Sequence, residues 1–254
     1  MPTPDRIPVG APAWVDLMSS DTDRARSFYG ELFGWKADEP DEEFGGYANF
    51  SVDGHMVAGL MATQDPSMPD VWSVYLAVED AEATVRDVET RGLPVMVPAM
   101  PVGDLGTMAV VGDPTGAVVG MWQPGTHTGM EVLAEPGAPS WFELHTRDHD
   151  GAVAFYQQVF GWDTHAASDT PEFRYTTMGQ EPDAHAGIMD AAGHLPEGVP
   201  SFWTVYFQVE DAEATIARAT ELGGAVHHGP DASPYGLLAV LSDPMGARFS
   251  IQQP

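Results

Sequence analysis

The chain has 254 residues, no cysteine and a formal net charge of −28, a length that fits two compact domains. The absence of cysteine excludes disulfides, thiolate metal sites and cysteine nucleophiles. Such acidity repels phosphate backbones, and the scattered basic residues offer no membrane patch, so neither nucleic acid nor a membrane is an expected partner.

Met1 to Arg6 has no apolar run behind it, and no stretch approaches a membrane span, so a cytoplasmic protein is expected. Ala13 to Met18 reads as a short strand. Asp21 and Asp23 offer N-cap oxygens to a helix whose apolar face is Ala25, Phe28, Tyr29, Leu32 and Phe33, ended at Gly34. Tyr47 to Val52 and His55 to Met61 alternate around Asp53-Gly54, a hairpin signal. Trp72 to Val78 is the next strand. Asp80 then caps a helix containing Ala81, Val85 and Val88, which ends at Gly92. Strands near Met108 to Val111 and Val118 to Gln123 follow, joined by Asp113-Pro-Thr-Gly116.

The whole pattern then repeats. Val78-Glu-Asp-Ala-Glu-Ala-Thr84 recurs unchanged as Val209 to Thr215. Trp14 matches Trp141, Phe28-Tyr29 matches Phe155-Tyr156, and Phe33-Gly34-Trp35 matches Phe160-Gly161-Trp162, all at an offset of 127. The offset is 131 at the heptapeptide and 130 at Asp113-Pro114 against Asp243-Pro244. A period this long marks two tandem domains rather than a solenoid. The sequence therefore divides into a first domain (1–124), a Gly/Pro-rich linker (125–139) and a second domain (140–254). Each domain reads as two βαβββ units, an α+β fold with helices on one face of a cupped sheet.

The Phe-Tyr…Phe-Gly-Trp helix, the Val-Glu-Asp-Ala helix start and the late Asp-Pro-x-Gly turn resemble the vicinal oxygen chelate superfamily of glyoxalases, bleomycin-resistance proteins and extradiol dioxygenases. The Trp14-Val-Asp-Leu17 opening is similar to two-domain actinobacterial members of glyoxalase-like or hydroxylase type, a mycobacterial culture-filtrate antigen among them. The resemblance covers nearly the whole chain and implies four βαβββ units forming two cups. In metal-dependent members, four His, Glu or Gln ligands line the cup. By spacing, those positions fall here on Trp14, Met61, Ser73 and Gly120, and on Trp141, Met189, Thr204 and Ser250. None is a histidine or carboxylate, so no metal and no other cofactor is expected.

Strand alternation gives the cup faces. The first cup takes Trp14, Asp16 and Met18, then Ser73 and Tyr75, then Gly120 and Trp122. The second takes Trp141, Glu143 and His145, then Thr204 and Tyr206, then Arg248 and Ser250. Trp35, Trp72, Trp162 and Trp203 are assigned to helix–sheet packing, and His185, His194, His227 and His228 to the surface. Aromatic walls with a few polar groups suit a small-molecule pocket. The alternative is that the aromatics simply fill the cups. A carboxylate enclosed by Trp and Met has its pKa raised by desolvation.

The resulting expectation is a metal-independent binder of a hydrophobic aromatic metabolite, such as an antibiotic or its biosynthetic intermediate. Binding would use Trp14, Met61, Ser73, Tyr75, Trp122, Trp141, Met189, Thr204, Tyr206, Arg248 and Ser250. Two alternatives stay open: a metal-free lyase, isomerase or hydroxylation accessory using Asp16, Glu143 and His145, or a glyoxalase-like lyase, against which the missing ligands argue. The oligomeric state is not legible; a monomer with paired domains is favoured.

Overall fold

A computed structural model describes residues 7–65 and 67–254. The first unit runs β1 (Pro12–Ser19), α1 (Thr22–Phe33), β2 (Lys36–Ala37), β3 (Ala48–Val52) and β4 (His55–Ala62). The second runs β5 (Val71–Ala77), α2 (Ala81–Thr90), β6 (Val95–Val102), β7 (Gly106–Gly112) and β8 (Val118–Pro124). The third has β9 (Pro139–Thr146), α3 (His149–Phe160), β10 (Thr164–Asp169), β11 (Arg174–Met178) and β12 (Ala186–Asp190). The fourth has β13 (Phe202–Gln208), α4 (Ala212–Glu221), β14 (Ala225–Ser233), β15 (Gly236–Ser242) and β16 (Arg248–Gln253). Each copy is thus two βαβββ units and the fold is α+β. No helix among the described residues is long and apolar enough to cross a membrane.

Each copy makes one eight-stranded sheet, in the orders β2-β3-β4-β1-β5-β8-β7-β6 and β10-β11-β12-β9-β13-β16-β15-β14. The strands that open the units, β1 with β5 and β9 with β13, pair antiparallel at the centre; each also pairs parallel with the last strand of its own unit. This centre positions the cup floor. The register sets Asp16 opposite Gly59 and Ser73, and Glu143 opposite Gly187 and Thr204. Edge strand β6 carries Pro98 and Pro101, residues that a central ladder would not tolerate but an edge can; its prolines hide it from a propensity reading.

The repeated landmarks have local causes. In the heptapeptide, Asp80 caps α2 by accepting from the Ala83 amide, and Thr84 Oγ1 donates back to the Asp80 carbonyl. Asp211 and Thr215 do the same for α4. The Phe-Tyr and Asp-Pro-x-Gly repeats join the two copies. Tyr29 donates to Asp243 and Tyr156 donates to Asp113, both at 3.2 Å, so each helix tyrosine reaches the turn of the other copy. Trp35 and Trp162 likewise donate across, to the carbonyls of Gly137 and Gly10. Phe33 lies 5.3 Å from Phe207, which places α1 on the convex face of the second sheet. The helix-bearing faces therefore pack together in one shared core that includes Trp35, Trp72, Trp162 and Trp203, and the concave faces look outward.

Candidate ligand-binding cups

The centre of each concave face carries one carboxylate held by the same chain of groups. In the first cup Trp14 Nε1 donates to Tyr47 OH at 2.7 Å, and the hydroxyls of Tyr75, Ser73 and Tyr47 face the Asp16 carboxyl. In the second, Trp141 Nε1 donates to Tyr175 OH at 2.7 Å, Tyr175 donates to Glu143 Oε2 at 2.6 Å, and Tyr206 donates to Glu143 Oε1 at 3.1 Å. Neither Tyr47 nor Tyr175 is among the site residues expected from the sequence. The signal that finds them is the duplication itself: Ala58-Gly59-Leu60-Met61 matches Ala186-Gly187-Ile188-Met189 at an offset of 128, and Tyr47 matches Tyr175 at the same offset. The two motif glycines are the seats of the tyrosines. A Cβ on Gly59 would collide with Tyr47 OH, and one on Gly187 with Tyr175 OH. The Tyr75 ring covers Gly120 in the same way, while Ser250 takes that place in the second copy.

The cups differ at one position beside the carboxylate. Met18 offers Asp16 no charge. Asp16 is 5% exposed, and burial, opposed by hydrogen bonds from Tyr75, Ser73 and Tyr47, pushes its carboxyl up to about 7. The enclosed-carboxylate expectation holds there and is overturned at Glu143. Burial acts on Glu143 in the same raising direction, but His145 Nε2 lies 2.8 Å from Oε1, and together with Tyr175 and Tyr206 it brings the carboxyl below its ordinary range. The His145 approach is close without the alignment of a good hydrogen bond. An imidazole two residues along the same strand face thus reverses the effect of burial.

The mouths differ as well. Residues 125–139, expected to be a simple linker, close the first cup. His127 sits edge-on to Trp14, with ring centroids 4.5 Å apart, and against Trp122 at 5.4 Å, while its carbonyl accepts from Trp122 Nε1 at 2.9 Å. Desolvation in this nest lowers the His127 pKa, and the charge of Glu131 opposes that only in part. The strap then passes between the diverging ends of β1 and β4. The Met130 amide donates to the Ala13 carbonyl, the Glu131 amide to the Met56 carbonyl, and the Met56 amide to Glu131 Oε2. It finishes under Trp35 on the helix face, with Met130 and Val132 buried.

Among the described residues no such strap crosses the second cup. Gln252 stands where Trp122 stands in the first, and Trp141 is only half-buried, whereas Trp14 and Trp122 are buried. An aromatic rim surrounds the floor instead. Phe173, 46% exposed, stacks on Tyr175 with centroids 5.5 Å apart, and half-buried Phe202 stacks on His145 at 5.0 Å. Tyr235, 48% exposed, reaches from the β14–β15 turn to Glu181, which follows β11.

The remaining expected site residues divide accordingly. Ser73 and Tyr75 line the closed cup, and Met61 lies half-buried at the end of β4. Thr204 and Ser250 are buried in the floor of the second cup, their hydroxyls 3.5 Å apart, with half-buried Tyr206 and Met189 beside them. Arg248 is exposed at the start of β16, opposite Ser242, away from the carboxylate. His194, His227 and His228 are exposed; His185 is half-buried, which lowers its pKa.

Neither cup suits a divalent ion. The first offers one carboxylate among Trp, Tyr, Met and Ser, and the second offers only Glu143 and His145, 2.8 Å apart. No cluster of three or more His, Asp or Glu with metal-holding geometry occurs among the described residues, whereas a protein-bound transition metal takes at least three such donors.

The model of the Glyoxalase/Bleomycin resistance protein/Dioxygenase superfamily matches residues 11–121 and again 138–251. A putative glyoxylase, CFP32, of Mycobacterium tuberculosis is 40% identical over 262 residues, covering 100% of this chain and 98% of the relative. The anthracycline biosynthesis protein DnrV of Streptomyces peucetius is 39% identical over 265 residues, covering 97% of this chain and 94% of the relative. Among solved structures, the Mn(II)-bound glyoxalase of Novosphingobium aromaticivorans aligns with a TM-score of 0.64 at 17% identity, covering 96% of this chain and 82% of that one. A 2,3-dioxygenase of a Pseudomonas species aligns with a TM-score of 0.65 at 15% identity, covering 97% and 92%. At such identities the solved structures speak for the fold alone.

Proposed function

The chain belongs to the glyoxalase/bleomycin resistance protein/dioxygenase superfamily, and from that premise we propose that it is a metal-independent cytoplasmic binder of a planar aromatic metabolite, seated in the second cup. The observation that carries this reading is the open aromatic rim of Phe173, Trp141, Phe202 and Tyr235 around the Glu143–His145 pair. Flat rings bind flat rings with little loss of side-chain entropy, and an ionised Glu143 accepts from a ligand hydroxyl. The donor sets of both cups support metal independence. The antibiotic-pathway name of the Streptomyces relative supports a hydroxylated polycyclic molecule as cargo. The net charge of −28 speaks against anionic ligands and nucleic acid.

A second reading rests on one distance. Glu143 and His145 at 2.8 Å form an acid–base pair on the cup floor, which suits proton transfer at a bound enolisable or phenolic group. The test is a fluorescence titration with 1,8-dihydroxyanthraquinone, with and without chelator, followed by chromatographic recovery of the ligand. Saturable binding that ignores the chelator, with unchanged ligand recovered, is expected. Ligand converted at a rate that Glu143→Gln abolishes would replace the binder with the enzyme. Binding or activity lost on chelation would overturn metal independence.

A further inference from the structure

On the face opposite the second cup, α3 from His149 to Gln157 and the edge hairpin β10–β11 flank a groove of about 350 Å3, at the lower end of the ~300–1,000 Å3 common for small-molecule sites. His149, the first residue of α3, lines it. Its side chain is 6% exposed, and neither ring nitrogen has a hydrogen-bond partner; the nearest charged atom, Asp150 Oδ1, is 3.7 Å from Nδ1. A buried donor and acceptor left unmet are destabilising, so such a ring calls for an occupant.

The surroundings select what that occupant is. Arg174 is engaged by carboxylates: it bonds Asp150 at 2.7 Å and Asp169 at 3.0 Å, with Asp190 at 3.8 Å. Three carboxylates against one guanidinium leave the locality negative. Both bonds from Arg174 to Asp150 and Asp169 land on Oδ1, so the two Oδ2 atoms remain as acceptors. An anion is repelled here, while a group rich in donors is welcomed. A hydroxyl both donates and accepts, so it can meet either ring nitrogen of His149. The first copy has nothing comparable. Thr22 stands in place of His149 at the 127 offset, and Gly46 in place of Arg174 at the 128 offset, so the fold of α3 does not require the groove.

We propose that this groove is a second binding site, for a small organic ammonium that carries hydroxyl groups, the ammonium meeting Asp150 and Asp169 and a hydroxyl meeting His149. The site is independent of what the second cup binds.

The test is an NMR titration of the histidine ring protons in the full chain, with His149 assigned through His149→Gln and folding checked by thermal unfolding. Glucosamine is the probe and N-acetylglucosamine its uncharged counterpart. A saturable shift of the His149 resonance by glucosamine is expected, at least tenfold weaker with N-acetylglucosamine and weakened in Asp169→Asn, whose side chain is exposed and whose loss leaves the fold intact. No saturable shift overturns the proposal. So does an equal response to the two sugars, or an undiminished response in Asp169→Asn.

Discussion

Asp16 and Glu143 occupy equivalent places in the two copies and are gripped by the same tryptophan–tyrosine chain, yet burial wins at one and loses at the other. The difference traces to Met18 against His145, and to a strap that covers one cup and has no counterpart on the other among the described residues. Duplication supplied the same scaffold twice. The first copy keeps its carboxyl as a buried, readily protonated acid under His127; the second keeps an ionised one beneath an open aromatic mouth. Function on a duplicated fold is decided by such local substitutions.

The largest effect that sharpens this contrast is on pH-dependent stability. Asp16 titrates near 7 in the folded chain against 3.8 unfolded. Between those values the native state holds a proton that the unfolded state has released, so stability is full below about pH 4, falls as pH rises to about 7, and is level above. Three pH units at 1.36 kcal/mol each set the scale at about 4 kcal/mol. Asp16→Asn should abolish that decline and be more stable than the parent above pH 7. Glu143 acts with the opposite sign. Its folded pKa is depressed, so its contribution is present at neutral pH and lost as pH falls through the folded value, and Glu143→Gln should be the less stable protein at pH 7. Urea midpoints of the three proteins from pH 4 to 8 check both; parallel profiles for the two variants would break the contrast.

The shared part of the two cups is probed by the glycine seats. Gly59→Ala and Gly187→Ala each drive a methyl into a tyrosine hydroxyl, and overpacking of this kind is destabilising by about 1–3 kcal/mol. Gly193→Ala meets nothing within 4 Å and should stay within about 0.5 kcal/mol of the parent. Denaturant midpoints decide; equal values for all three would mean that the tyrosines are not anchored on the glycines.

The architecture was legible because its signals are local and doubled. The caps at Asp80 and Asp211, the helix faces ended at Gly34 and Gly161, and alternation along β1 and β9 each report on neighbours in the chain. Alternation puts Asp16 and Glu143 on the same strand face as Trp14 and Trp141. What stayed hidden depends on contacts distant in sequence. Tyr47 reaches Trp14 across 33 residues, and its partner glycine, Gly59, is an unremarked strand position until the two copies are aligned. His127 lies in a stretch whose Gly and Pro content speaks only of a loop, yet it closes a cup through Trp14 and Trp122. The sign of the Glu143 shift required the distance to His145, which strand alternation suggests but cannot measure.

A smaller effect tests the strap. His127→Ala removes its edge contacts with Trp14 and Trp122 and should be destabilising by about 1 kcal/mol. It should also make tryptophan emission from the first copy accessible to a neutral quencher. Stability and quenching both unchanged would mean that something other than His127 closes the first cup.

The most direct measurement is acrylamide quenching of the parent, Trp141→Phe and Trp14→Phe. Of the seven tryptophans, Trp141 is the one that is not buried. Trp141→Phe should therefore remove most of the readily quenched emission, and Trp14→Phe should leave it in place. Loss of the quenchable emission in Trp14→Phe instead, with Trp141→Phe behaving as the parent, would contradict the assignment of the open cup to the second copy.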